Sequence, residues 1–352
     1  MANPPTPVVL ACFDKYRFTA TASELCRVVA DVAWEKQFDS IVLPMADGGE
    51  GTIDALATQG GRLRQSTVTG PLGQQVEAVW LLRGRTAFIE MAQASGLALA
   101  GGPEGNQPLD ASTYGTGQLI TEALVAGAKR IVVTLGGSAT TDGGLGALNA
   151  MAPLARFRGI DLVVACDVDT TFVDAASAFG PQKGATNAQV ALLTRRLEQL
   201  ADRFRAERDV DVRAIPGTGA AGGLAGALVS LGARVTSGFG FVAEEVGLAD
   251  AVASAAIVVT GEGRCDQESF NGKVVGGVCG LGAEAGVPVV IIAGEVDGDV
   301  VVPPEVASAD IRMVSLTQRF GAERAWKEPL RCVREVVTSL LDDSSERASA
   351  SR

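Results

Sequence analysis

Residues 136–144, GGSATTDGG, put four glycines, the hydroxyls of Ser138, Thr140 and Thr141, and the carboxylate of Asp142 into nine positions. The β-branched run at 131–135 ahead of them suits a buried strand, and Leu145, Ala147 and Leu148 behind them can begin a helix. Strand, glycine-rich polar turn and helix leave backbone N–H groups and a helix N-terminus free for an anion such as phosphate. The same composition also suits a flexible surface turn. A second cluster, Thr260-Gly261-Glu262-Gly263-Arg264-Cys265-Asp266, sets a strand end, two glycines, two acids and an arginine within seven residues. There the arginine can clamp phosphate or carboxylate while an acid holds Mg²⁺, or Arg264 can simply pair with Asp266 or Glu262. Lys183, between Gly180-Pro181-Gln182 and Gly184, can neutralise a phosphate or be an ordinary exposed lysine.

Acids close the apolar runs at Asp14, Asp47, Glu90, Asp167, Glu262 and Glu295. In open α/β sheets ligands sit at the carboxyl ends of strands, and carboxylates beside glycine turns suit divalent metal and phosphate together. The chain has no histidine, which removes Ser-His-Asp and Cys-His hydrolysis and most zinc catalysis. A general base here is expected to be Asp or Glu. The G-x-x-x-x-G-K-[ST] loop is absent, because Gly272-Lys273 is followed by Val274. Gly217-x-Gly219-x-x-Gly222 matches the dinucleotide pattern, with Glu244 and Glu245 about where a ribose-binding acid would stand, so a dinucleotide-dependent oxidoreductase is one reading.

The 352 residues suffice for about two domains. A net charge of −11 disfavours nucleic-acid and anionic-membrane partners, so an anionic substrate needs a local group of Lys and Arg. No apolar run approaches a membrane span, and the opening MANPPTPVVL lacks the basic and apolar regions of a secretory signal; the cytoplasm is the expected compartment. The six cysteines include no C-x-x-C pair and read as reduced, buried small hydrophobes.

The elements that must position these residues follow from periodicity. Residues 8–13 and 41–43 read as strands, with a helix at 23–33 between them whose Leu25, Val28, Val29 and Val32 share a face. From 66 to about 99 the pattern changes to alternating hairpins, and a domain change is placed there. A helix at 119–127, a strand at 162–165 and a long amphipathic helix with Val190, Leu193, Leu197, Leu200 and Phe204 on its apolar stripe come next. Arg195, Arg196, Glu198 and Asp202 on that helix read as a solvated face. Strands at 257–260, 289–292 and 313–314 alternate with a helix at 274–285, as in a doubly wound parallel sheet. Residues 1–7 are expected to be a lead-in, and 341–352 a frayed polar tail.

Several motifs recur together and in order: ADGGEGT at 46–52, TGPLG at 69–73, FIEMA at 88–92, SGL at 95–97, GTG at 115–117, the 136–144 turn, ACDV at 165–168, FGPQKG at 179–184, GAAGG at 219–223, TGEGR at 260–264 with Asp266, Gly272-Lys273, and SLT at 315–317 with Gly321. In this arrangement the chain resembles the bacterial glycerate kinases of the class that includes glycerate 2-kinase, over nearly its whole length. The resemblance implies transfer of the ATP γ-phosphoryl group, with Mg²⁺, to a hydroxyl of D-glycerate, with 2-phosphoglycerate as the expected product. It also implies a flavodoxin-like doubly wound parallel sheet (1–66 plus 251–352) and an inserted mixed-sheet, restriction-endonuclease-like α/β domain (67–250).

On the same footing Asp167 is expected to be the base for the glycerate hydroxyl, with capping of the next turn as its alternative role. Asp14, Arg17, Lys183 and Arg264 are expected to bind substrate. Gly136, Gly137, Ser138, Thr140, Gly217, Gly219 and Gly222 are assigned to the nucleotide, and Asp47, Glu262 and Asp266 to the metal. D-Glycerate and ATP are the expected partners of a monomer or homodimer. The chain departs from the family pattern in four places. Asp14-Lys15-Tyr16-Arg17-Phe18-Thr19 stands where the family has Asp-x-Phe-Lys-Gly-Ser, and Thr170-Thr171-Phe172 where it has Asn-Pro-Leu. Glu268 replaces Gln, and the segment between Asn149 and Ile160 is shortened. A non-catalytic relative with a binding or regulatory role is therefore the alternative reading.

Overall fold

A computed structural model describes residues 6–307 and 310–350, with side-chain surroundings through residue 343. Most of the expected lead-in (1–5) and the last two residues of the expected tail lie outside the described residues. The strands are β1 (Val8–Ala11), β2 (Asp39–Val42), β3 (Arg62–Thr69), β4 (Gln75–Arg83), β5 (Thr86–Glu90), β6 (Arg130–Thr134), β7 (Asp161–Ala165), β8 (Arg234–Thr236), β9 (Ile257–Thr260), β10 (Arg264–Cys265), β11 (Val289–Ala293), β12 (Glu295–Val296) and β13 (Ile311–Ser315). The chain divides into two compact units. One comprises Met1–Asp47, Asp54–Thr58 and Phe239–Arg352; the other comprises Gly48–Ile53 and Gln59–Gly238.

The first unit holds a five-stranded parallel sheet in the order β13-β11-β9-β1-β2. Renumbered within the sheet this is 2-1-3-4-5, the flavodoxin-like order, whose switch point falls between β1 and β9. Side chains alternate between its faces. Val9, Ala11, Val259, Val290 and Ile292 join a core with Leu25, Val29 and Val32 of helix Ala22–Glu35 and Val333, Val336 and Val337 of helix Pro329–Ala350. Thr21 and Glu24 form a capping box at the first of these helices. A cap is worth about 1 kcal/mol, whereas each buried Val or Leu contributes roughly 1.5–3 kcal/mol; packing therefore decides where this helix lies. The expected tail is instead the end of helix Pro329–Ala350, because Leu340 and Leu341 are buried in the same core.

The second unit holds a six-stranded mixed sheet in the order β3-β4-β5-β6-β7-β8. β3, β4 and β5 pair antiparallel, as the hairpin pattern predicts, and β5 through β8 pair parallel. The fully buried runs Ile131–Val133 and Val163–Ala165 are the central strands, which is why they read as continuous rather than alternating apolar stretches. The two parallel arrays set the functional problem. Each has one carboxyl edge, and the acids and glycines of the sequence collect there.

Candidate active site

In the second unit the parallel strands β5, β6 and β7 end at Glu90, at Leu135-Gly136-Gly137 and at Cys166-Asp167. Glu90 is buried, and its Oε1 accepts the N–H groups of Gly51 (3.0 Å) and Ile53 (2.7 Å), so this strand-end acid anchors the Gly48–Ile53 segment. That segment lies against the strand ends. A Cβ on Gly136 would stand 2.4 Å from Gly49 Cα, and one on Gly48 would stand 3.3 Å from the Ala165 carbonyl oxygen. Asp167 Oδ1 accepts the Ser237 hydroxyl (2.8 Å) and the Gly238 N–H (2.7 Å). The two contacts fix the carboxylate at the mouth of β7.

Farther along the same turn the structure changes the meaning of Asp142. Its Oδ2 accepts the Thr113 N–H (2.9 Å), the Thr113 hydroxyl (2.8 Å) and the Gly146 N–H (3.1 Å), and its Oδ1 accepts the Gly144 N–H (3.0 Å). The protein's own carboxylate therefore occupies the start of the short helix Leu145–Ala150, where the sequence suggested an external anion. The flexible-turn alternative does not describe the segment either, since Thr140 and Thr141 are fully buried.

Lys183 is internal rather than exposed. Only 3% of it is accessible, its Nζ donates to the Thr140 carbonyl (2.7 Å), and it stands 5.8 Å from the centre of the Phe179 ring. Burial pulls its pKa down to about 7, against an opposing pull from Asp142. Asn106, which the sequence gave no reason to single out, bonds the Ala139 and Lys183 carbonyls (3.0 and 2.9 Å) and ties the two segments together.

The Gly217–Gly223 loop serves close packing. Gly219 N–H donates to the Thr170 carbonyl (2.9 Å) and Gly143 N–H to the Gly222 carbonyl (3.0 Å). Gly222 has φ +66°, and a Cβ there would fall 2.0 Å from the Thr140 carbonyl oxygen. The dinucleotide pattern needs a strand running into its first glycine. Here a 3₁₀ turn, Val212–Ala214, precedes it and the strand, β8, comes afterwards. The oxidoreductase reading loses its structural context.

In the first unit Asp14 and Glu262 follow β1 and β9, the strands that flank the switch point. Asp14 bonds its neighbour's N–H (Lys15, 2.7 Å) and lies 3.6 Å from the Lys15 ammonium. Burial raises its pKa to about 6, Lys15 opposes the shift and Asp47 adds to it. Glu262 is raised to about 7, chiefly by burial, with Asp14 and Asp266 adding to the shift and Ser269 and Lys273 opposing it. Its Oε1 is buried without a hydrogen-bond partner. Asp266 caps the turn Gln267–Phe270 through the Ser269 N–H (3.1 Å). Among the described residues no group of three or more His, Cys, Asp or Glu side chains is arranged to hold a metal ion.

Arg264 is exposed and pairs with Asp297 in a two-pronged contact, Nε–Oδ1 2.9 Å and Nη2–Oδ2 3.1 Å. The alternative in which Arg264 pairs with Asp266 or Glu262 gives way to an ion pair with Asp297, supplied by the β10–β12 pairing. Arg17 is exposed beside the ring of Phe18 (5.3 Å). Phe18 itself is 86% exposed at φ +70°, the backbone state that explains a glycine at this place in the family pattern. Left-handed backbone costs a side-chain-bearing residue roughly 1–2 kcal/mol, partly offset by glycine's greater unfolded freedom. Phe18→Gly is therefore expected to raise stability by about 0.5–1 kcal/mol in urea unfolding. A loss of stability would mean that the ring contributes more than its backbone costs.

A model of the Glycerate kinase family matches residues 9–154 and 152–342. Glycerate 2-kinase of Escherichia coli (strain K12) is 39% identical over 327 residues, covering 82% of this chain and 85% of its own. Glycerate kinase of Bacillus subtilis (strain 168) is 40% identical over 328 residues, covering 81% and 84%. A crystal structure assigned as glycerate kinase 2 from Salmonella typhimurium LT2 superposes with a TM-score of 0.79 at 32% identity, over 97% of this chain and 100% of that one.

Proposed function

The chain belongs to the glycerate kinase family, and on that premise we propose that it transfers the γ-phosphoryl group of ATP to a hydroxyl of D-glycerate, giving 2-phosphoglycerate. The observation that carries the reading is the Asp167 carboxylate, held at a parallel strand end by Ser237 and Gly238. Phosphoryl transfer asks for positioning and charge neutralisation more than covalent chemistry. A fixed carboxylate can accept the hydroxyl proton of glycerate as the hydroxyl oxygen attacks. Gly136, Gly137, Ser138 and Thr140 are assigned to the phosphates. Gly222 supports them from behind by letting the Thr140 carbonyl approach, while Gly219 packs against the Thr170 and Thr171 carbonyls and Gly217 against the Val168 carbonyl. Lys183, poised near neutrality, gains its full charge as an anion arrives. Asp14, Arg17 and Arg264 are assigned to glycerate, with Arg264 exchanging Asp297 for a ligand oxygen pair.

Mg²⁺ fits the first unit's carboxylates in the way this ion is usually held, by one or two acids together with phosphates and water. The partnerless Glu262 oxygen supports that fit, with either Asp266 or Asp47 as the second acid and phosphates and water completing the shell. Bound with ATP, the ion would neutralise charge on the β- and γ-phosphate oxygens. Glu262 must shed its proton to act as a ligand, and its pKa is about 7. Mg²⁺–ATP affinity is therefore expected to rise as pH goes from 6 to 8, by up to about tenfold per unit below pH 7. The ionisation of ATP itself is common to wild type and Glu262→Gln, so equal pH slopes in the two proteins would remove Glu262 from the metal.

ATP consumption measured over a panel of small hydroxy acids tests the function. D-Glycerate should be turned over best and 2-phosphoglycerate should accumulate. No turnover on any acid would instead favour a non-catalytic relative. Among the described residues no helix is long and apolar enough to cross a membrane; a cytoplasmic monomer or homodimer belongs to the same proposal.

A further inference from the structure

The loop that follows β1 carries an aromatic ring that packs into no core. Residues 16–20 close on themselves. Tyr16 and Ala20 exchange backbone hydrogen bonds (2.9 and 3.0 Å), and the Thr19 N–H donates to the Tyr16 carbonyl (2.9 Å). Both feet of this turn, Tyr16 and Ala20, are buried. The Tyr16 hydroxyl donates to the Ile292 carbonyl near the end of β11 (2.7 Å), and a Cβ on Gly263 would stand 3.3 Å from the Arg17 nitrogen. The turn is therefore fixed beside the residue after Glu262, at the carboxyl edge where β1 and β9 flank the switch point. Ligands of open parallel sheets gather at that place. The tip of the turn is Arg17 and Phe18.

Stability does not account for the pair. Phe18 holds the third position of the turn at φ +70°, where glycine is the usual choice. With the side chain 86% exposed, almost no apolar surface is buried to offset the backbone cost. Backbone strain of this kind clusters at ligand sites. Arg17 differs from Arg264 in one respect. Arg264 is held by Asp297, whereas among the described residues no acid pairs with Arg17. Its guanidinium lies instead 5.3 Å from the centre of the Phe18 ring, within cation–π range. That contact restrains a long side chain without supplying an oxygen acceptor, so the N–H fork stays available. A planar guanidinium held in this way is matched to a carboxylate through two parallel hydrogen bonds.

We propose that Phe18 is a positioning residue, whose ring holds the Arg17 guanidinium as a two-pronged clamp for the carboxylate of the acceptor. This rests on the assignment of Arg17 to D-glycerate made above. Steady-state kinetics on the full chain test it. Phe18→Gly and Phe18→Leu should each raise the KM for D-glycerate roughly two- to fivefold, the worth of one exposed cation–π contact. The kcat and the KM for ATP should stay unchanged, as when a contact is lost equally from ground and transition states. Phe18→Tyr should keep the wild-type KM, because its ring offers the cation the same face. In an Arg17→Met background Phe18→Gly should have no further effect. The glycine variant is decisive, since the backbone at residue 18 suits glycine and impaired folding cannot explain its weaker KM. Higher stability joined to weaker glycerate binding is a pairing that a purely structural residue does not produce. Four results overturn the proposal: a wild-type KM in the glycine variant, a wild-type KM in the leucine variant, an equal rise in the KM for ATP, or an undiminished effect without Arg17. A wild-type chain inert toward every acid removes the reading above together with this one. An active wild type whose glycerate KM ignores both the glycine and leucine changes removes this inference alone.

Discussion

Replacing Asp167 by Asn is expected to cut kcat by roughly 10²–10⁴-fold, the usual cost of losing a positioned general base, while ATP binds as before. The substitution isolates proton acceptance from geometry. An amide oxygen can still accept the Ser237 hydroxyl and the Gly238 N–H that hold Oδ1, so the turn keeps its anchor. Asp167→Ala removes the anchor as well, leaving the Gly238 N–H without its carboxylate at a cost of about 1–3 kcal/mol if no water replaces it. Comparing the two variants separates the roles. If Asn is as active as wild type while Ala is destabilised, Asp167 is a turn anchor and the base lies elsewhere. Single-turnover kinetics and an ATP binding isotherm on each variant decide between these outcomes.

Gly222→Ala is expected to be the most damaging of the glycine substitutions in the loop region, and to act through stability. The added methyl would meet the Thr140 carbonyl oxygen at 2.0 Å and Thr141 Cα at 2.6 Å, at φ +66°. Those atoms are backbone, so relief requires one loop to move rather than a side chain to swing. The displaced loop is the one that receives the Lys183 ammonium. Overpacking of this kind typically costs about 1–3 kcal/mol, and the left-handed backbone adds roughly 1–2 kcal/mol. With a few degrees lost per kcal/mol in a protein of this size, the thermal midpoint should fall by roughly 5–10 °C. A variant with a wild-type midpoint and weakened ATP binding would show instead that Gly222 touches the nucleotide directly.

The parallel strands of both sheets were legible because most are continuous apolar runs closed by glycine or acid, and the hairpins because residues 66–99 alternate. Strand β3 begins earlier, at Arg62, because Arg62 and Leu63 face solvent on an outer strand and leave little apolar signal. The acids were visible at the strand ends, whereas their partners were not. Asp297 reaches Arg264 from 33 positions away, and Asp142 takes its donors from Thr113 as well as from its own turn. Long-range pairing of this sort depends on strand register and loop packing, which no local spacing encodes. Lys183 shows the same limit in another form. A lysine between glycines reads as solvent-exposed until the neighbouring loops close over it.

The pairing of β1 with β9 joins residues 9–11 to 257–259, and it carries a consequence for synthesis on the ribosome. β1 pairs early with β2 on one side but must wait for its other neighbour nearly 250 positions later, on the order of ten seconds or more at ordinary elongation rates. Helix Ala22–Glu35 waits longer still, since the apolar partners of Leu25, Val29 and Val32 on helix Pro329–Ala350 are made last. The strands of the intervening sheet, from Arg62 to Thr236, are complete before either wait is over. Nascent chains halted before about residue 260 should therefore present an N-terminal strand with one edge unpaired to chaperones while the middle of the polypeptide has already become protease-resistant.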